Sequence, residues 1–322
     1  MADEVEAAPS LALDPAATSA TWTARDPGHA WCPDALLALV PEAVVRDASA
    51  EPMSLATHHA PWHLLGASVR GRSHAHRGEF RDDAMAVHTD GELLLLAVAD
   101  GAGSSALSRI GAAVTAQLAV ERTAVRYAAD VAATAPSARL GTAMAHAVHD
   151  AALRLHELAA AADTSPAALR TTLLLVAVLG DLMLVSQVGD GAVLVQKRGG
   201  TVMRVGAQRE TSWAGEVTCF VPDACAMTQA AALRQVSADD VSLIALLTDG
   251  IDDPFHPLEQ SAQALVAQWR DGTTTPIGTA RQVAQGPVLD GTDSLLQWMT
   301  FEQRGEVDDR TLLLAWRAGE AG

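Results

Sequence analysis

Short apolar runs that end at glycine or aspartate constrain this chain more than any other feature of its sequence. Two of the longest span residues 93–99 and 173–179, and they stop at Asp100 and Gly180. Each run has the length of a buried β-strand and is far shorter than the roughly 20 residues that a membrane-spanning helix needs. The sequence therefore predicts a β-rich protein with no membrane span.

The charge balance and the cysteines exclude several classes of function. Lys and Arg number 22 while Asp and Glu number 39, so the formal net charge is −17, the wrong sign for gripping a nucleic-acid backbone. The chain has three cysteines, which is too few for a disulfide framework and an odd number that cannot pair completely. Cys219 and Cys225 are interpreted as ordinary thiols, with a redox pair as the alternative. The start of the chain is acidic, unlike a secretory signal, so we expect a cytoplasmic protein that binds neither nucleic acid nor membrane.

Changes in sequence texture divide the chain into three parts. Residues 1–30 are rich in Ala, Pro and acidic residues and are predicted to be a disordered leader. Residues 31–63 are predicted to be an N-terminal extension, with one short helix over residues 34–46 and an irregular segment around Pro61. Over residues 64–317, short strands alternate with Gly and Asp turns without a linker, which indicates one domain.

Two helical stretches, residues 105–129 and 139–162, interrupt the predicted strands. Each has apolar residues at helical spacing and follows small or polar residues that can cap a helix. Many antiparallel strands with two long helices inserted between them predict the α+β class. The expected architecture is an antiparallel β-sandwich flanked by helices.

Aspartates stand where these predicted strands begin or end. Asp100 and Asp249 follow two buried strands, and Asp83 and Asp308 precede two others. A two-residue hairpin loop at Asp90-Gly91 would bring Asp83 and Asp100 to the same end, offset by roughly 7 Å. Because strand ends and strand starts meet at one edge of an antiparallel sheet, we expect the four carboxylates to lie together.

Carboxylates that gather at the rim of an apolar core repel one another, and cations are needed to keep them ionised. Oxygen ligands favour hard ions such as Mg²⁺ or Mn²⁺ over zinc. The alternative interpretation treats each Asp-Gly pair as a solvent-exposed turn, because Asp-Gly is a frequent turn sequence. By spacing alone, the sequence predicts an acidic metal site that is compatible with phosphoryl chemistry.

The order of these acidic motifs resembles that of a known family. The matching segments are residues 81–84, 98–104, 171–172, 188–191, 247–250 and 308–311. In this order they resemble the metal-dependent PP2C-type (PPM) Ser/Thr protein phosphatases, and most of all the compact bacterial branch, over residues 64–316. The resemblance implies two packed antiparallel sheets with helices outside. It also implies two Mn²⁺ or Mg²⁺ ions that bind phosphate and activate a bridging water.

The resemblance further implies which residues hold the ions. Asp100 matches the carboxylate that bridges both metals, and the Gly101 carbonyl is a neighbouring ligand. Asp83, Asp249 and Asp308 match the other metal-binding acids. These four aspartates, together with the Gly101 carbonyl, are therefore the expected catalytic metal site.

Four further residues are expected to shape the site without binding metal. Asp82 stands where the family has Glu or Gln, and Asp309 stands where it often has Asn. Asp190 matches the acid of a glycine-aspartate motif, and the predicted strand register places it opposite Thr171. We therefore expect a hydrogen bond between the Thr171 hydroxyl and the Asp190 carboxylate.

The chain departs from the family pattern at two positions. Ala102 stands where many members have a histidine that protonates the leaving serine. Gly78 stands where many members have a phosphate-binding arginine. Arg77 and Arg81 flank that position and are the predicted phosphate contacts, with Arg77 favoured.

The leading prediction is a phosphatase that hydrolyses phosphoserine and phosphothreonine in proteins through a metal-activated water. Because Ala102 offers no proton, the rate is expected to fall steeply as the leaving group becomes more basic. The alternative is that His74 or His76 supplies the proton instead. A phosphoprotein substrate and a cognate Ser/Thr kinase are the expected partners. The alternative is a catalytically silent, phosphatase-like module that binds a phosphoprotein or a kinase.

Overall fold

The computed structural model describes residues 24–46, 52–130, 135–206, 219–273, 286–303 and 305–317. Within these residues, two antiparallel β-sheets pack face to face, and helices cover the outer face of each sheet. This arrangement confirms the predicted α+β sandwich flanked by helices. None of the described helices has the length and apolar content needed to cross a membrane.

The two sheets contain six and five described strands, and all neighbouring strands are antiparallel. The larger sheet contains β1 (Met53–His59), β2 (Trp62–Val69), β7 (Ala192–Lys197), β8 (Val202–Val205), β10 (Val241–Leu247) and β11 (Arg310–Arg317). The smaller sheet contains β3 (Ala84–Asp90), β4 (Leu93–Ala99), β5 (Leu173–Leu179), β6 (Leu182–Val188) and β9 (Arg234–Ser237). The strand orders are β1-β2-β11-β10-β7-β8 and β3-β4-β5-β6-β9.

The helices form the outer layers of the sandwich. They are α1 (Asp34–Leu37), α2 (Glu42–Arg46), α3 (Arg72–Arg77), α4 (Ser108–Ala129), α5 (Pro136–Ala161), α6 (Cys225–Ala231), α7 (Asp249–Asp252), α8 (Leu258–Asp271) and α9 (Thr292–Trp298). Helices α4 and α5 confirm the two predicted long helices, and they pack on the smaller sheet. Helices α8 and α9 pack on the larger sheet.

Strand β4 shows why the sequence contains nearly continuous apolar runs. Its residues Leu94 and Leu96 lie in the core between the two sheets. Leu95 and Ala97, on the opposite face, pack against the helical layer. Because a strand inside a four-layer sandwich is covered on both faces, apolar residues are favoured at every position rather than at every second one.

The N-terminal extension differs from its prediction. The single helix expected over residues 34–46 is two short helices, α1 and α2, with Pro41 between them. Proline lacks a backbone N–H and its ring collides with the preceding turn, so one continuous helix is excluded. Leu36 and Val40 are buried in the core of the α4 and α5 layer, so this extension packs on the sandwich.

The segment around Pro61, which was predicted to be irregular, forms the end of β1, a turn and the start of β2. In this hairpin, His58 pairs with His63. Strand β1 is at the edge of the larger sheet and most of its residues are exposed or half-buried, so it lacks the apolar alternation that marks a strand. The division at residues 30 and 63 stays a prediction, and residues 1–23 of the predicted leader lie outside the described residues.

The hairpin of β3 and β4 has a different register from the predicted one. Asp90 pairs with Leu93, so the loop is Gly91 and Glu92 rather than Asp90 and Gly91. Gly91 has a φ of 57°, a backbone conformation that favours glycine at this first loop position. The two-residue shift removes the predicted offset, because Ala84 pairs with Ala99 and the next positions outward are Asp83 and Asp100.

Candidate active site

One edge of the sandwich collects the acidic residues that the sequence singled out. Asp100 follows β4, and Asp249 begins α7 directly after β10 and Thr248. Asp83 and Asp308 lie immediately before β3 and near the start of β11. This edge therefore receives carboxylates from both sheets, as the antiparallel arrangement predicted.

Three carboxylates form the tightest group at this edge. Oxygen atoms of Asp100, Asp190 and Asp249 all lie within 4.8 Å of one another, and we call these three residues the acidic cluster. Burial and then the charge of Asp249 raise the pKa of Asp100 well above its ordinary value. Burial and the charges of Asp190 and Asp308 raise the pKa of Asp249 to about 7. Bringing these groups together as anions is therefore unfavourable without added positive charge.

Asp83 links the two sheets at the same edge. Its Oδ2 atom accepts hydrogen bonds from the Thr248 hydroxyl at 2.9 Å and the Thr311 hydroxyl at 2.8 Å. Thr248 follows β10 and Thr311 lies in β11, both strands of the larger sheet, whereas Asp83 precedes β3, the first strand of the smaller sheet. Burial and the charge of Asp309 raise the pKa of Asp83 well above its ordinary value, despite the Thr311 hydrogen bond that lowers it.

A second group of contacts is centred on Asp309 and is called the Asp309 network: Asp309, Gly71, His74 and Asp82. The Asp309 carboxylate accepts hydrogen bonds from the backbone N–H of Gly71 at 2.6 Å and of Asp82 at 2.5 Å. Its Oδ2 atom lies 3.0 Å from Nδ1 of His74. These contacts tie the segment before β3 to the start of β11, so Asp309 orders the backbone on both sides of the site.

Burial shifts the two titratable partners in the Asp309 network. Burial lowers the pKa of His74, but the hydrogen bond and charge of Asp309 outweigh that effect and raise it to about 9. Burial raises the pKa of Asp82 to about 6, although the nearby charge of His74 and a hydrogen bond from Ser108 oppose the shift. These shifts favour the charged form of His74 at neutral pH, in an ion pair with Asp309.

The backbone of Asp100 is held by two threonines at the start of β5. Thr172 donates its backbone N–H to the Asp100 carbonyl at 2.8 Å, and its hydroxyl accepts the Asp100 N–H at 3.1 Å. The Thr171 hydroxyl donates to the same Asp100 carbonyl at 2.8 Å. The predicted bond from Thr171 to Asp190 is therefore wrong, because the Thr171 backbone bridges to Gly101 and its hydroxyl turns toward Asp100.

Asp190 lies in the turn between β6 and β7, as its motif predicted. We expected it to shape the site rather than to bind metal, yet its carboxylate lies in the acidic cluster. The structure thus places it with Asp100 and Asp249, in a position to share a cation with them. Its flanking residues Gly189 and Gly191 have φ values of 83° and 84°, which favour glycine and allow the turn to point the acid at the edge.

The glycines of two Asp-Gly pairs are required by close packing rather than by turns. A Cβ at Gly101 would lie 2.7 Å from the Asp82 carbonyl oxygen. A Cβ at Gly250 would collide with the Asp309 carbonyl oxygen. Asp100 and Asp249 are therefore each followed by a glycine against which another part of the site rests directly.

The two arginines predicted to contact phosphate both have partners within the chain. Arg77 ends helix α3, and its Nε atom lies 2.5 Å from Oε2 of Glu79. Arg81 is buried and donates to the backbone carbonyls of Asp83 at 3.0 Å and Ser68 at 3.2 Å. Gly78, whose φ of 70° ends helix α3, separates the two arginines, so they do not lie on one continuous strand.

Several residues that sequence reasoning missed are integral to the site. Thr248 and Thr311 lay inside the recognised motifs but received no role, although a threonine beside each acid was visible. His74 was considered only as a proton donor, and nothing in the local sequence indicates that it reaches Asp309. Contacts that join distant segments leave no periodic signal in a sequence.

Cys219 and Cys225 form a disulfide bond, and Cys32 is a buried free thiol. The interpretation of the first two as ordinary thiols is therefore wrong, and the alternative, a pair, is the one observed. The start of helix α6 at Cys225 brings the Cα atoms within 6.1 Å despite the short sequence separation. Val221, between them, makes two backbone hydrogen bonds with Thr171, close to Asp100.

The chemistry of the donor set fits a hard divalent cation. The side-chain ligands available at this edge are carboxylate oxygens, which Mg²⁺ and Mn²⁺ prefer. Among the described residues, no Lys or Arg forms an ion pair with Asp83, Asp100, Asp249 or Asp308. Burial raises the pKa of all four. A bound cation would relieve the repulsion that the protein itself leaves uncompensated.

Comparisons with known proteins agree with this fold. The structure is similar to that of the S. agalactiae serine/threonine phosphatase, with a TM-score of 0.55 and 14% identity, over 80% of this chain and 99% of that chain. It is also similar to the serine/threonine phosphatase Stp1 from Staphylococcus aureus, with a TM-score of 0.52 and 14% identity, over 84% of this chain and 96% of that chain. At such identities the likeness shows the fold alone.

Sequence comparisons give the family. A search of curated proteins found no match. Residues 70–284, more than half of the chain, match the family model described as Protein phosphatase 2C. The recognised order of acidic motifs, the sandwich fold and this match agree, and the chain belongs to the Protein phosphatase 2C family.

Proposed function

We propose that this protein is a metal-dependent phosphatase that hydrolyses phosphoserine and phosphothreonine in proteins. The observation that carries the proposal is the meeting of carboxylates from both sheets at one edge, where those of the half-buried Asp100, Asp190 and Asp249 lie within 4.8 Å of one another. Asp83, Asp100, Asp249, Asp308 and the Gly101 carbonyl would hold Mn²⁺ or Mg²⁺, with Asp190 beside them. When bound, such ions neutralise the phosphate oxygens and lower the pKa of a water.

The residues of the chain have distinct tasks in this proposal. The four aspartates supply the negative charge that retains the ions, while Thr248 and Thr311 fix the orientation of Asp83. Thr171 and Thr172 fix the backbone of Asp100. Ala102 offers no proton to the leaving serine oxygen, and His74, being buried against Asp309, holds its protons within the Asp309 network. His76 stays the candidate donor from the sequence.

Phosphate recognition is proposed for Arg77 rather than Arg81. The Arg77 side chain is 47% exposed and its Glu79 partner is 45% exposed, so a phosphate dianion can compete for the guanidinium. Arg81 is buried and occupied by backbone carbonyls, which supports a role in fixing Asp83 instead. A phosphorylated protein, its cognate kinase and a cytoplasmic location complete the proposal.

The experiment measures hydrolysis of a phosphothreonine peptide by the full chain, with Mn²⁺, with Mg²⁺ and with a chelator. We expect turnover with either ion and at least a 100-fold loss in the chelator, because the site depends on hard cations. Arg77→Ala should raise KM more than it lowers kcat, and Arg154→Ala, a surface arginine paired with Glu157, is the matched control.

Two results would contradict the proposal. Undiminished turnover in the chelator, with no metal in the purified protein, would show that the carboxylates do not act through cations. Tight binding of the phosphopeptide without any hydrolysis would instead favour the silent module.

A further inference from the structure

Arg204 is a buried cation that contacts residues close in sequence to members of the acidic cluster without belonging to that cluster. It is on β8, the last strand of the larger sheet, and its side chain is only 5% exposed. A buried guanidinium is costly unless its charge and its N–H groups are paired. The partners of Arg204 therefore show what this residue is for.

The Arg204 guanidinium bridges two segments of the chain. Its Nη2 atom donates a hydrogen bond to the Gly191 carbonyl at 2.7 Å. Its Nη1 atom lies 3.2 Å from Oδ2 of Asp252, whose side chain is 2% exposed, and 3.8 Å from Oε1 of Glu259 at the surface. One planar group thus joins the turn between β6 and β7 to helix α7.

Each of these segments carries one member of the acidic cluster. Gly191 directly follows Asp190, and Asp252 ends the single helical turn that begins with Asp249. A guanidinium holds its donors in a fixed plane, so contacts at two of its nitrogens fix the separation of the groups that they bind. Arg204 therefore constrains the backbones from which Asp190 and Asp249 converge.

We propose that Arg204 is a positioning residue for the candidate metal centre and holds Asp190 and Asp249 at the spacing that a shared cation requires. This inference rests on the proposed function, because it assumes that the acidic cluster binds a divalent ion. Residues that orient metal ligands without touching the metal typically change affinity or activity by about 10- to 100-fold when they are removed.

The charge of Arg204 and its positioning role have opposite expected effects on Mn²⁺ affinity. A positive charge near a cation site opposes cation binding, so loss of charge alone would strengthen Mn²⁺ binding. Removal of the clamp would weaken it. The double variant Arg204→Met with Asp252→Asn separates the two effects, because it removes both members of the ion pair and leaves the net charge unchanged.

The double variant also avoids an uncompensated buried charge. Replacing Arg204 alone would leave the Asp252 carboxylate buried without this partner, which is strongly destabilising. Methionine retains much of the apolar stem of arginine, and asparagine retains the shape of aspartate. The matched control is Arg154→Met with Glu157→Gln, which removes an exposed ion pair on helix α5.

The test measures the dissociation constant of Mn²⁺ by calorimetric titration into metal-free full chain, with unfolding midpoints measured alongside. We expect Mn²⁺ binding about tenfold weaker or more in the Arg204 and Asp252 double variant, and unchanged in the Arg154 and Glu157 control. Arg204→Lys, which keeps the charge but lacks the fork, should bind Mn²⁺ with intermediate affinity. Hydrolysis of the phosphopeptide should need correspondingly more Mn²⁺ and recover at saturation.

The outcomes separate this proposal from the one on which it rests. A folded double variant with wild-type or tighter Mn²⁺ affinity would overturn the positioning role, even with a lowered unfolding midpoint, because a purely structural residue behaves in that way. If the double variant does not fold, Arg204→Lys decides, and wild-type affinity in it overturns the proposal. A wild-type chain that binds no Mn²⁺ and hydrolyses no phosphopeptide fails the proposed function instead.

Discussion

The acidic cluster and the Asp309 network are neighbouring groups of acids that the protein treats in different ways. In the network, the Asp309 carboxylate receives two backbone N–H groups and the His74 imidazole. In the cluster, the carboxylates of Asp100 and Asp249 have no partner of opposite charge among the described residues. The charge of Asp249 raises the pKa of Asp100, and a hydrogen bond joins the two carboxyl groups. The fold compensates the charge of one group with its own donors and leaves the other without a compensating charge among the described residues.

This difference teaches which acids serve the fold and which serve the chemistry. A carboxylate that the protein has already satisfied stabilises the folded state, and its removal leaves orphaned donors. A carboxylate held among like charges destabilises the folded state, and such an arrangement is typical of functional sites. Substitutions in the two groups should therefore have opposite effects on stability, which the following predictions test.

Asp249→Asn is expected to have the largest effect. With Mn²⁺ present, phosphopeptide turnover should fall by at least about 100-fold, because one anionic ligand is lost. Without metal, the same variant should be more stable than the wild type at pH 8, by about 1 kcal/mol or more. The sign follows from the pKa of about 7: ionisation of folded Asp249 lowers stability as the pH rises from 4 through 7.

Activity and chemical denaturation in a chelator measure the two halves of this prediction. The exposed Asp293 on α9, changed to Asn, is the control, and neither quantity should change. If Asp249→Asn destabilises the metal-free chain, the acidic cluster is not strained and the contrast between the two groups fails.

Asp309→Ala is expected to act in the opposite way on stability. It leaves the N–H groups of Gly71 and Asp82 and the charged His74 without their acceptor, so the free energy of unfolding should fall by about 3 to 5 kcal/mol. Denaturant titration in the presence of a chelator isolates this effect from metal binding. If Asp309→Ala lowers the free energy of unfolding no more than the exposed control Asp293→Ala does, the Asp309 network does not stabilise the fold.

His74→Asn should show a smaller effect that depends on pH. The folded-state pKa of His74 is raised to about 9 from an ordinary value near 6.5, so its charged contact contributes fully below pH 6.5 and is lost as the pH rises through about 9. The wild type should exceed the variant in unfolding free energy by roughly 1 to 3 kcal/mol at pH 6, and the gap should shrink by pH 9.5. A constant gap would show that His74 is not charged in the folded protein.

The sequence predicted much of the fold because its signals are local. Apolar runs such as Leu93–Ala99 and the helical periodicity of α4 are written in consecutive residues, and both elements were found where expected. The edge strand β1 was missed because it produces no buried periodic pattern. The two short helices on either side of Pro41 were predicted as one helix because the apolar spacing continues across the break. The hairpin register was displaced by two residues because Asp90-Gly91 offered the more familiar turn.

The candidate site was predictable as a set of acids but not as a set of contacts. The predicted antiparallel hairpin is enough to place Asp83 and Asp100 at one edge of the sheet. The hydrogen bonds from Thr248 and Thr311 to Asp83, by contrast, join positions 165 and 228 residues apart in sequence. Such pairings are fixed by how the two sheets pack, which a single sequence does not state.

The seating of Gly101 and Gly250 against opposing carbonyls has a consequence for how this site can change over time. Any larger residue at Gly250 displaces the backbone of Asp309, and any larger residue at Gly101 presses on that of Asp82. A substitution on one side of either contact must therefore be accompanied by a backbone change on the other side, since the two segments are in direct contact. The geometry of the acids is therefore coupled to the closure of the sandwich, because a side chain at either glycine would move the backbone of the facing segment.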